Sequence, residues 1–227
     1  MLAKKYRSRI VSIKNPIEGI YTIEFESLGR GYKFYPGQFL HLAIDNTYDG
    51  VGQWPESRCF SMRSNPDEEN IRITYAVKGK FTTQMKETME EGDKVWLKLP
   101  YGDLFIQDHN KEEPVFIAGG TGITPFLSLF AHESFREYTN PKIYLGFRSV
   151  NHHIYQEELA NAKNPAKTVE IYYQDSDGLI DIDRVFSENG LTNDYFISGP
   201  PGMISAFTNT LVEKGVPETN VITDDWV

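Results

Sequence analysis

The sequence predicts two domains, a six-stranded antiparallel β-barrel followed by an α/β domain with a doubly wound parallel sheet. Three observations predict this fold class. Short strands of alternating polarity fill the first half, whereas strands alternate with helices in the second half. Charge is also unevenly divided, because residues 1–108 carry 15 Lys or Arg against 15 Asp or Glu and residues 109–227 carry 8 against 17. We therefore expect a barrel domain over residues 1–108 and an α/β domain over residues 109–227.

The barrel strands are indicated by short segments in which apolar and polar residues alternate. In Ile71-Arg72-Ile73-Thr74, every second side chain is apolar, as expected of a strand with one buried face. Turn pairs such as Pro36-Gly37 and Asn65-Pro66 separate the segments. One helix, from about Thr82 to Met89, interrupts them, and six short strands with one helix are typical of a small barrel. The predicted strands are Tyr6–Ile13, Ile20–Glu26, Phe39–Ile44, Arg58–Met62, Ile71–Val77 and Val95–Leu99.

The second half follows a strand–helix rhythm that predicts a parallel sheet covered by helices. A polar, charged linker is expected from Gln107 to Glu113, before the first of these strands. The predicted strands are Val115–Ala118, Lys142–Phe147, Val169–Tyr173 and Tyr195–Ser198, with a last extended segment at Asn220–Asp224. The predicted helices are Pro125–Tyr138, Ile154–Ala160, Ile182–Ser187 and Pro201–Lys214.

Composition excludes several classes of protein. The one cysteine, Cys59, excludes an internal disulfide framework, a cysteine zinc site and a bound iron–sulfur cluster, and no His, Asp and Glu grouping has metal-ligand spacing. The first residues lack the apolar stretch of a signal peptide, and the longest apolar run, 115–131, is broken by glycines. We therefore expect a cytoplasmic protein with no metal and no membrane segment. A net charge of −9 argues against nucleic-acid binding.

A glycine turn lies between an apolar strand and an apolar helix at Ala118-Gly119-Gly120-Thr121-Gly122-Ile123-Thr124-Pro125. Glycines let the backbone approach an anion, while the free N–H groups and the dipole of the helix start face it. Pro125 suits the first helical turn. Because Pro125 replaces the third glycine of G-x-G-x-x-G, the turn alone is a weak indication of a nucleotide site.

A second chemical motif, Arg58-Cys59-Phe60-Ser61, lies on a barrel strand. An arginine fork can bind a pyrophosphate, an aromatic ring can stack on a flat heterocycle and a hydroxyl can reach a ring nitrogen. Taken alone, the motif is equally consistent with an ordinary strand that carries one exposed arginine.

Together, these motifs resemble those of the ferredoxin–NADP reductase family, in the same order and over nearly the whole chain. Arg58–Ser61 resembles the flavin-binding signature, and Tyr35-Pro36-Gly37-Gln38-Phe39 the strand entry before it. Ala76-Val77-Lys78-Gly79-Lys80-Phe81-Thr82-Thr83 is similar to the flavin pyrophosphate turn. Gly120–Pro125 resembles the G-T-G-I-A-P loop, Ser198-Gly199-Pro200-Pro201-Gly202-Met203 resembles C-G-P-x-x-M, and Asp224-Asp225-Trp226 resembles the acidic-x-aromatic ending.

The resemblance implies an FAD-binding barrel and an NAD(P)-binding α/β domain. It assigns Ser61 to flavin N5, Phe60 and Trp226 to stacking on the flavin ring, and Ser198 and Asp224 to the hydride-transfer site. Arg58, Thr82 and Thr83 would bind the FAD pyrophosphate, with Cys59 and the segment 76–81 around the flavin. The nicotinamide dinucleotide would lie against Gly120, Thr121, Gly122, Ile123, Gly199, Pro200 and Met203.

Three positions depart from the family pattern. Phe60 replaces the usual tyrosine and loses its hydroxyl, Ser198 replaces the usual cysteine near the nicotinamide, and Trp226 replaces the commoner Tyr or Phe. Trp226 could instead pack against the sheet.

Two loops bear on the choice between NADH and NADPH. A 2′-phosphate calls for Arg or Lys, whereas free ribose hydroxyls call for a carboxylate. Arg148 follows the second strand of the second half and would serve either cofactor, while Asp175 follows the third strand and would repel a phosphate. We therefore expect NADH; His152 and His153 could soften that repulsion or could simply be surface residues.

The expected function is that of an FAD-dependent NAD(P)H oxidoreductase that passes electrons to a separate ferredoxin, flavodoxin or oxygenase component. Two alternatives remain at this point: an NAD(P)H:flavin reductase that releases reduced flavin, and a non-catalytic dinucleotide-binding regulatory subunit. Lys5, Arg7 and Arg9 form a basic stripe on the first strand, which would either dock an acidic carrier or be a solvated edge.

Overall fold

The chain forms two compact units, Met1–Asp103 and Leu104–Val227, in a computed structural model that describes residues 2–224. The boundary lies earlier than the division at residue 108 expected from the sequence. Leu104 is 4% exposed in a core of the second unit, and the ring of Phe105 packs against Phe116 and Phe196. These two apolar side chains therefore attach the segment to the second unit.

The first unit is the predicted antiparallel barrel. Its strands are β1 (Lys4–Ile17), β2 (Ile20–Ser27), β3 (Phe39–Ala43), β4 (Arg58–Ser61), β5 (Ile71–Ala76) and β6 (Lys94–Tyr101), in the sheet order β4-β3-β6-β1-β2-β5. Just after β4, the Arg63 amide donates to the carbonyl of Arg72 in β5 at 2.8 Å, so the two end strands approach each other and the barrel is nearly closed. Helix α1 (Lys80–Thr88) buries Phe81 and Met85 in the same core.

Strand β1 lies between β6 and β2 and is not an edge strand, which corrects one expectation for the basic stripe. Two of its three cations already have partners. Arg9 pairs with Glu26, and Lys5 donates to Tyr48 and to the carbonyl oxygens of Gly50 and Gly52.

The second unit is the predicted doubly wound domain. Its parallel sheet has the order β11-β10-β7-β8-β9, with β7 (Val115–Gly119), β8 (Lys142–Phe147), β9 (Thr168–Tyr173), β10 (Tyr195–Ser198) and β11 (Val221–Thr223). Alternate residues of β7 enter different cores: Val115 and Ile117 enter one, and Phe116 and Ala118 the other. Both faces of the sheet are therefore buried, as a parallel sheet requires. The helices are α2 (Thr124–Ala131), α3 (Gln156–Ala160), α4 (Ile182–Asn189) and α5 (Pro201–Glu213).

One expectation for the second unit is wrong. The single helix expected from Pro125 to Tyr138 ends at Ala131, because His132 is extended and its side chain accepts a hydrogen bond from the Ser134 amide, starting a separate 3-10 turn. The polar segment expected as a linker, Gln107 to Glu113, lies within the second unit. The Asn110 amide donates to the Asp194 carboxylate at 2.6 Å, and the Glu113 amide donates to the Thr139 carbonyl at 2.7 Å.

Candidate functional site

In the first unit, Arg58 lies beside the start of α1. Its guanidinium donates to the Ser57 carbonyl at 2.8 Å and to Glu56 at 3.0 Å, and it lies 5.1 Å from the centre of the Phe81 ring. The Arg58 side chain is still 53% exposed. Because a surface ion pair is weak and easily exchanged, this guanidinium can bind an incoming anion.

The start of α1 also suits an anion. The first N–H groups of a helix have no acceptor within the helix, and the first turn of α1 contains no acidic residue, while Lys78 and Lys80 are exposed beside it. The Thr82 hydroxyl accepts hydrogen bonds from the amides of Lys78 and Gly79 at 3.0 and 3.1 Å. These bonds fix the turn that carries the two lysines and leads into the first N–H groups of α1. A pyrophosphate therefore fits here by charge and by donor set.

Phe60 and Ser61 are more buried than a ligand-lining role suggests. Phe60 is 8% exposed and meets the ring of Tyr75 edge-on at 5.9 Å within the barrel core. Ser61 is 6% exposed, and its backbone pairs with Phe39 on β3. Their contacts with a flavin stay predictions.

Cys59 packs against His41, with Sγ 3.5 Å from Nε2. Burial raises the pKa of the Cys59 thiol, although the nearby charge of Arg58 opposes this effect. Burial also lowers the pKa of His41, and the charge of Lys98 adds to that shift. Both groups are therefore held neutral, which is the state of a structural thiol rather than of a reactive one.

The second unit offers a site where its strand order reverses. The chain runs outwards from β7 through β8 to β9 and then returns to the other side of β7 as β10, so the crevice between the carboxyl ends of β7 and β10 is a topological switch point. Ligands of open α/β sheets bind at such crevices. Gly120 follows β7 with φ +56°, and no atom lies within 4 Å of where its Cβ would be, so the backbone there is open to a ligand.

Two loops meet closely across this crevice. A Cβ on Gly122 would lie 2.5 Å from the Gly199 Cα and 2.5 Å from the Ser198 carbonyl oxygen. A Cβ on Gly119 would lie 2.8 Å from the Met203 sulfur. Helices α2 and α5 begin directly after these loops, so their N-terminal dipoles lie at the same edge of the sheet. The phosphates of a dinucleotide fit this donor set.

The side chains of Ser198 and Asp224 are hydrogen-bonded to each other at the end of β10. The Ser198 hydroxyl donates to Asp224 Oδ2 at 3.1 Å, and the two residues are 2% and 6% exposed. The Asp224 amide donates to the Ile197 carbonyl at 3.0 Å, which fixes Asp224 beside β10. A buried hydroxyl is thereby oriented by a carboxylate in the same crevice.

Comparisons with known proteins agree with this geometry. Residues 116–209 match the family model described as oxidoreductase NAD-binding domain. The reductase component of propane 2-monooxygenase from Rhodococcus jostii is 28% identical, over 97% of this chain and 63% of that protein. The chain is therefore similar to NAD-binding oxidoreductases and to the reductase component of an oxygenase. A component of the Na⁺-translocating NADH-quinone reductase of Methylococcus capsulatus is 31% identical, over 85% of this chain and 57% of that protein.

Among solved structures, the ferredoxin NADP⁺ reductase from Neisseria gonorrhoeae, with bound FAD and NADP, has the same fold as this chain. Its TM-score is 0.75 at 19% identity, and the match covers 93% of this chain and 92% of that one. By contrast, the chain spans less than two thirds of the Rhodococcus relative.

The remaining family positions are placed as follows. Ile123 is fully buried, so only its backbone is available to a ligand, whereas Pro200 is exposed at the start of α5. Arg148 and Asp175 are both exposed at the carboxyl edge of the sheet, where the Asp175 amide donates to the Arg148 carbonyl at 3.2 Å. Trp226 lies outside the described residues.

His153 is a residue whose environment the sequence did not indicate. It is 8% exposed, stacks on Phe147 with ring centres 4.9 Å apart, and has Nδ1 3.1 Å from the Tyr173 hydroxyl. Burial lowers the pKa of His153. The ring is therefore neutral. It has no positive charge that could offset the repulsion between Asp175 and a phosphate, which was one alternative drawn from the sequence.

Within residues 2–224, no group of His, Cys, Asp and Glu could hold a metal ion. None of the helices in that range has the length and apolar character needed to cross a bilayer.

Proposed function

We propose that this chain is an FAD-dependent NAD(P)H oxidoreductase that delivers electrons to a separate acceptor protein. The observation that carries the proposal is the glycine crevice of the second unit, where an open Gly120 backbone and two helix starts adjoin the buried Ser198–Asp224 pair. An anion-binding surface beside a positioned hydroxyl is what a nicotinamide dinucleotide and its reacting ring require.

In the first unit, Arg58 and the start of α1 would hold the FAD pyrophosphate, with Thr82 shaping the turn and Thr83 lining it. The Ser61 hydroxyl would donate to flavin N5, and Phe60 would support the ring. When bound, FAD supplies a hydride acceptor at N5 and can then release electrons one at a time. Trp226 would stack on the same ring.

In the second unit, the Gly120–Gly122 backbone would hold the dinucleotide phosphates, and Met203 and Gly199 would line the nicotinamide pocket. Asp224 accepts the Ser198 hydroxyl hydrogen and so fixes the direction of the oxygen lone pairs. Ser198 would thereby orient the carboxamide edge of the nicotinamide, and this buried pair would exclude water from the reacting face.

We further propose NADH as the preferred nucleotide. Asp175 is exposed at the edge where the adenosine ribose would lie, and its carboxylate would accept hydrogen bonds from free hydroxyls and repel a 2′-phosphate. Steady-state rates with both nucleotides test this choice, and a strong preference for NADPH would contradict it.

The acceptor is proposed to be an oxygenase component, a ferredoxin or a flavodoxin. The similarity to the reductase component of propane 2-monooxygenase supports this class of partner.

Absorbance spectra of the purified protein with FAD and each nucleotide, recorded without oxygen, test the main proposal. We expect bound flavin to be bleached by NADH and the electrons to reach an added acceptor protein. Weakly held flavin and fast turnover of added FMN or riboflavin would indicate the flavin-reductase alternative. Bound flavin that neither nucleotide reduces would indicate the regulatory alternative, and protein that binds no FAD would overturn the proposal.

A further inference from the structure

The buried side chain of Gln38 bridges two separate segments of the barrel, and the proposed function gives it no part. Gln38 is 4% exposed and lies directly before β3. Its Oε1 accepts a hydrogen bond from the Tyr35 amide at 2.8 Å, and its Nε2 donates to the Gly102 carbonyl at 2.8 Å. The side chain therefore ties the turn that leads into β3 to the turn that follows β6.

Gln38 lies where the ends of three strands meet. Phe39, the next residue along the chain, pairs with Ser61 at the end of β4 on one side and with Tyr101 at the end of β6 on the other. The Met62 amide donates to the Gln38 carbonyl at 3.0 Å. Gln38 thereby joins the end of β4, where Ser61 lies, to the turn after β6.

The turn after β6 is also fixed by close packing. Gly102 has φ +82°, a conformation that favours glycine, and a Cβ at this position would lie 2.9 Å from Cδ1 of the Phe39 ring. The same ring stacks on Tyr101, with ring centres 5.6 Å apart. The hydrogen bond from Gln38 and the ring of Phe39 therefore both hold this turn in place.

The chain passes from the first unit to the second directly after this turn. The first unit ends at Asp103, and Leu104 is 4% exposed in a core of the second unit. Only Asp103 lies between the carbonyl that Gln38 holds and a residue that the second unit buries. Because two residues of fully extended chain span at most about 7 Å, the connection has little slack with which to absorb a displacement of Gly102.

We infer that Gln38 is a positioning residue for hydride transfer. It holds the turn at Gly102 in a fixed place relative to Ser61, and the short connection at Asp103 transmits that position to the unit that binds the nicotinamide. The inference rests on the proposed function, because it requires flavin N5 at Ser61 and the nicotinamide dinucleotide on the second unit. Hydride transfer needs reacting atoms about 3–3.5 Å apart, and a displacement of about 1 Å can lower the rate about a hundredfold. Gln38 needs no contact with either cofactor for this effect.

Substitutions of Gln38 separate hydride transfer from cofactor binding. Gln38→Leu keeps most of the side-chain volume and removes both side-chain hydrogen bonds. We expect the limiting rate of flavin reduction at saturating NADH, measured by stopped flow, to fall about tenfold, with unchanged dissociation constants for FAD and for NADH. Gln38→Glu keeps the acceptor for the Tyr35 amide but loses the donor to Gly102, so it should show most of the same loss in rate.

Ser8→Ala is the matched control for lost stability of the barrel. The buried Ser8 hydroxyl accepts a hydrogen bond from the Tyr32 hydroxyl at 2.7 Å, and Ser8 pairs with Val95 near the other end of β6. Its removal should lower the melting temperature of flavin-free protein, as Gln38→Leu should, because each leaves a buried group without its partner. The limiting rate should stay unchanged in Ser8→Ala.

Glycine substitutions at the two ends of β6 give an independent test. Gly92 and Gly102 both have positive φ, +94° and +82°, so alanine is strained at either position. No atom lies within 4 Å of a Cβ on Gly92, whereas a Cβ on Gly102 meets Phe39. Gly102→Ala should therefore lower the limiting rate and speed up amide hydrogen exchange in segment 101–106 of flavin-free protein, as Gln38→Leu should. Gly92→Ala should change neither.

An unchanged limiting rate in Gln38→Leu, Gln38→Glu and Gly102→Ala would overturn the assignment. An equal fall in Ser8→Ala or Gly92→Ala would also overturn it, because lost barrel stability alone would then lower the rate. Weakened FAD binding in Gln38→Glu would do the same, since Gln38 would then act through the flavin site. If Gln38→Leu does not fold, Gln38→Glu and Gly102→Ala decide. Wild-type protein whose bound flavin neither nucleotide reduces would instead overturn the proposed function itself.

Discussion

Two regions of the molecule suit an anion: the start of α1 in the first unit and, in the second unit, the crevice between β7 and β10, where two helices begin. Different chemical groups form the two regions. At α1 the charge comes from exposed side chains, with the Arg58 side chain 53% exposed. In the crevice, the surface is backbone that packs against backbone, with a Cβ on Gly122 only 2.5 Å from Gly199 Cα.

A substitution at the start of α1 should therefore change ligand binding without changing the folding stability. A substitution in the glycine crevice should change both. An exposed side chain can be removed without leaving a cavity or a buried unpaired group, so its loss should weaken binding alone. A glycine in close backbone contact cannot gain an atom without displacing its neighbour, so the same change should affect folding and binding together.

Gly122→Ala should have the largest effect. Its Cβ would overlap the Gly199 Cα and the Ser198 carbonyl oxygen, and these backbone atoms cannot rotate away as a side chain can. We expect a loss of about 3 kcal/mol of folding free energy, the upper part of the usual cost of overpacking, together with loss of nucleotide binding. Thermal unfolding and NADH titration measure the two effects.

Gly202→Ala is the matched control in the same unit. Gly202 lies in the first turn of α5, and no atom lies within 4 Å of where its Cβ would be. Because alanine favours a helix by up to about 1 kcal/mol relative to glycine, the control should be neutral or slightly more stable. A Gly122→Ala protein that unfolds at the same temperature as the Gly202→Ala protein would contradict the proposed coupling of folding and binding.

Arg58→Ala tests the other half of the comparison. Loss of a charge-assisted hydrogen bond of about 1.5–3 kcal/mol should raise the dissociation constant for FAD roughly tenfold to a hundredfold. Flavin-free protein should unfold at an unchanged temperature, because only a surface ion pair with Glu56 is lost. A lowered melting temperature with normal FAD binding would show that Arg58 is structural.

Ser198→Ala should have a smaller effect that falls on both properties. Asp224 would lose the hydroxyl donor that contacts Oδ2 at 3.1 Å, at a cost of about 1 kcal/mol, and the hydride-transfer rate should fall roughly fivefold. Stopped-flow reduction of bound flavin by NADH separates this rate from nucleotide binding. Ser198→Cys, which introduces the residue usual in the family that the sequence resembles, should retain more of the rate than Ser198→Ala. Equal rates in the two variants would argue against a role for this position.

The fold could be predicted because its signals are local. Alternating strands, the strand–helix rhythm and the turn residues all lie within a few neighbouring positions, and the family resemblance rests on the short segments 58–61, 76–83, 120–125 and 198–203. The helix end at Ala131 was missed because a histidine side chain caps the next turn, and histidine is a weak sequence signal for capping.

Contacts between distant segments could not be predicted. The close approach of Gly122 to Gly199 and the pairing of Cys59 with His41 depend on which strands become neighbours. Such tertiary features have no local periodicity to indicate them.

His153 gives the smallest expected effect and tests whether the buried character of the second unit extends to its outer loops. Because burial lowers the pKa of His153, the unfolded chain takes up a proton below about pH 6.5 while the folded protein does not. The neutral His153 ring therefore makes its full contribution to the free energy of unfolding above that pH. The contribution is lost as the pH falls toward the pKa of His153 in the folded protein. His153→Phe keeps an aromatic ring on Phe147 but removes the titration, so the melting temperature of the wild type should fall more steeply than that of the variant between pH 7.5 and pH 5.5.

Tyr173→Phe removes only the contact at 3.1 Å and should keep the steeper wild-type decline. Parallel curves for wild type and His153→Phe would show that His153 opens to solvent before it titrates, and the second unit would then be less rigid at this edge than at its glycine crevice.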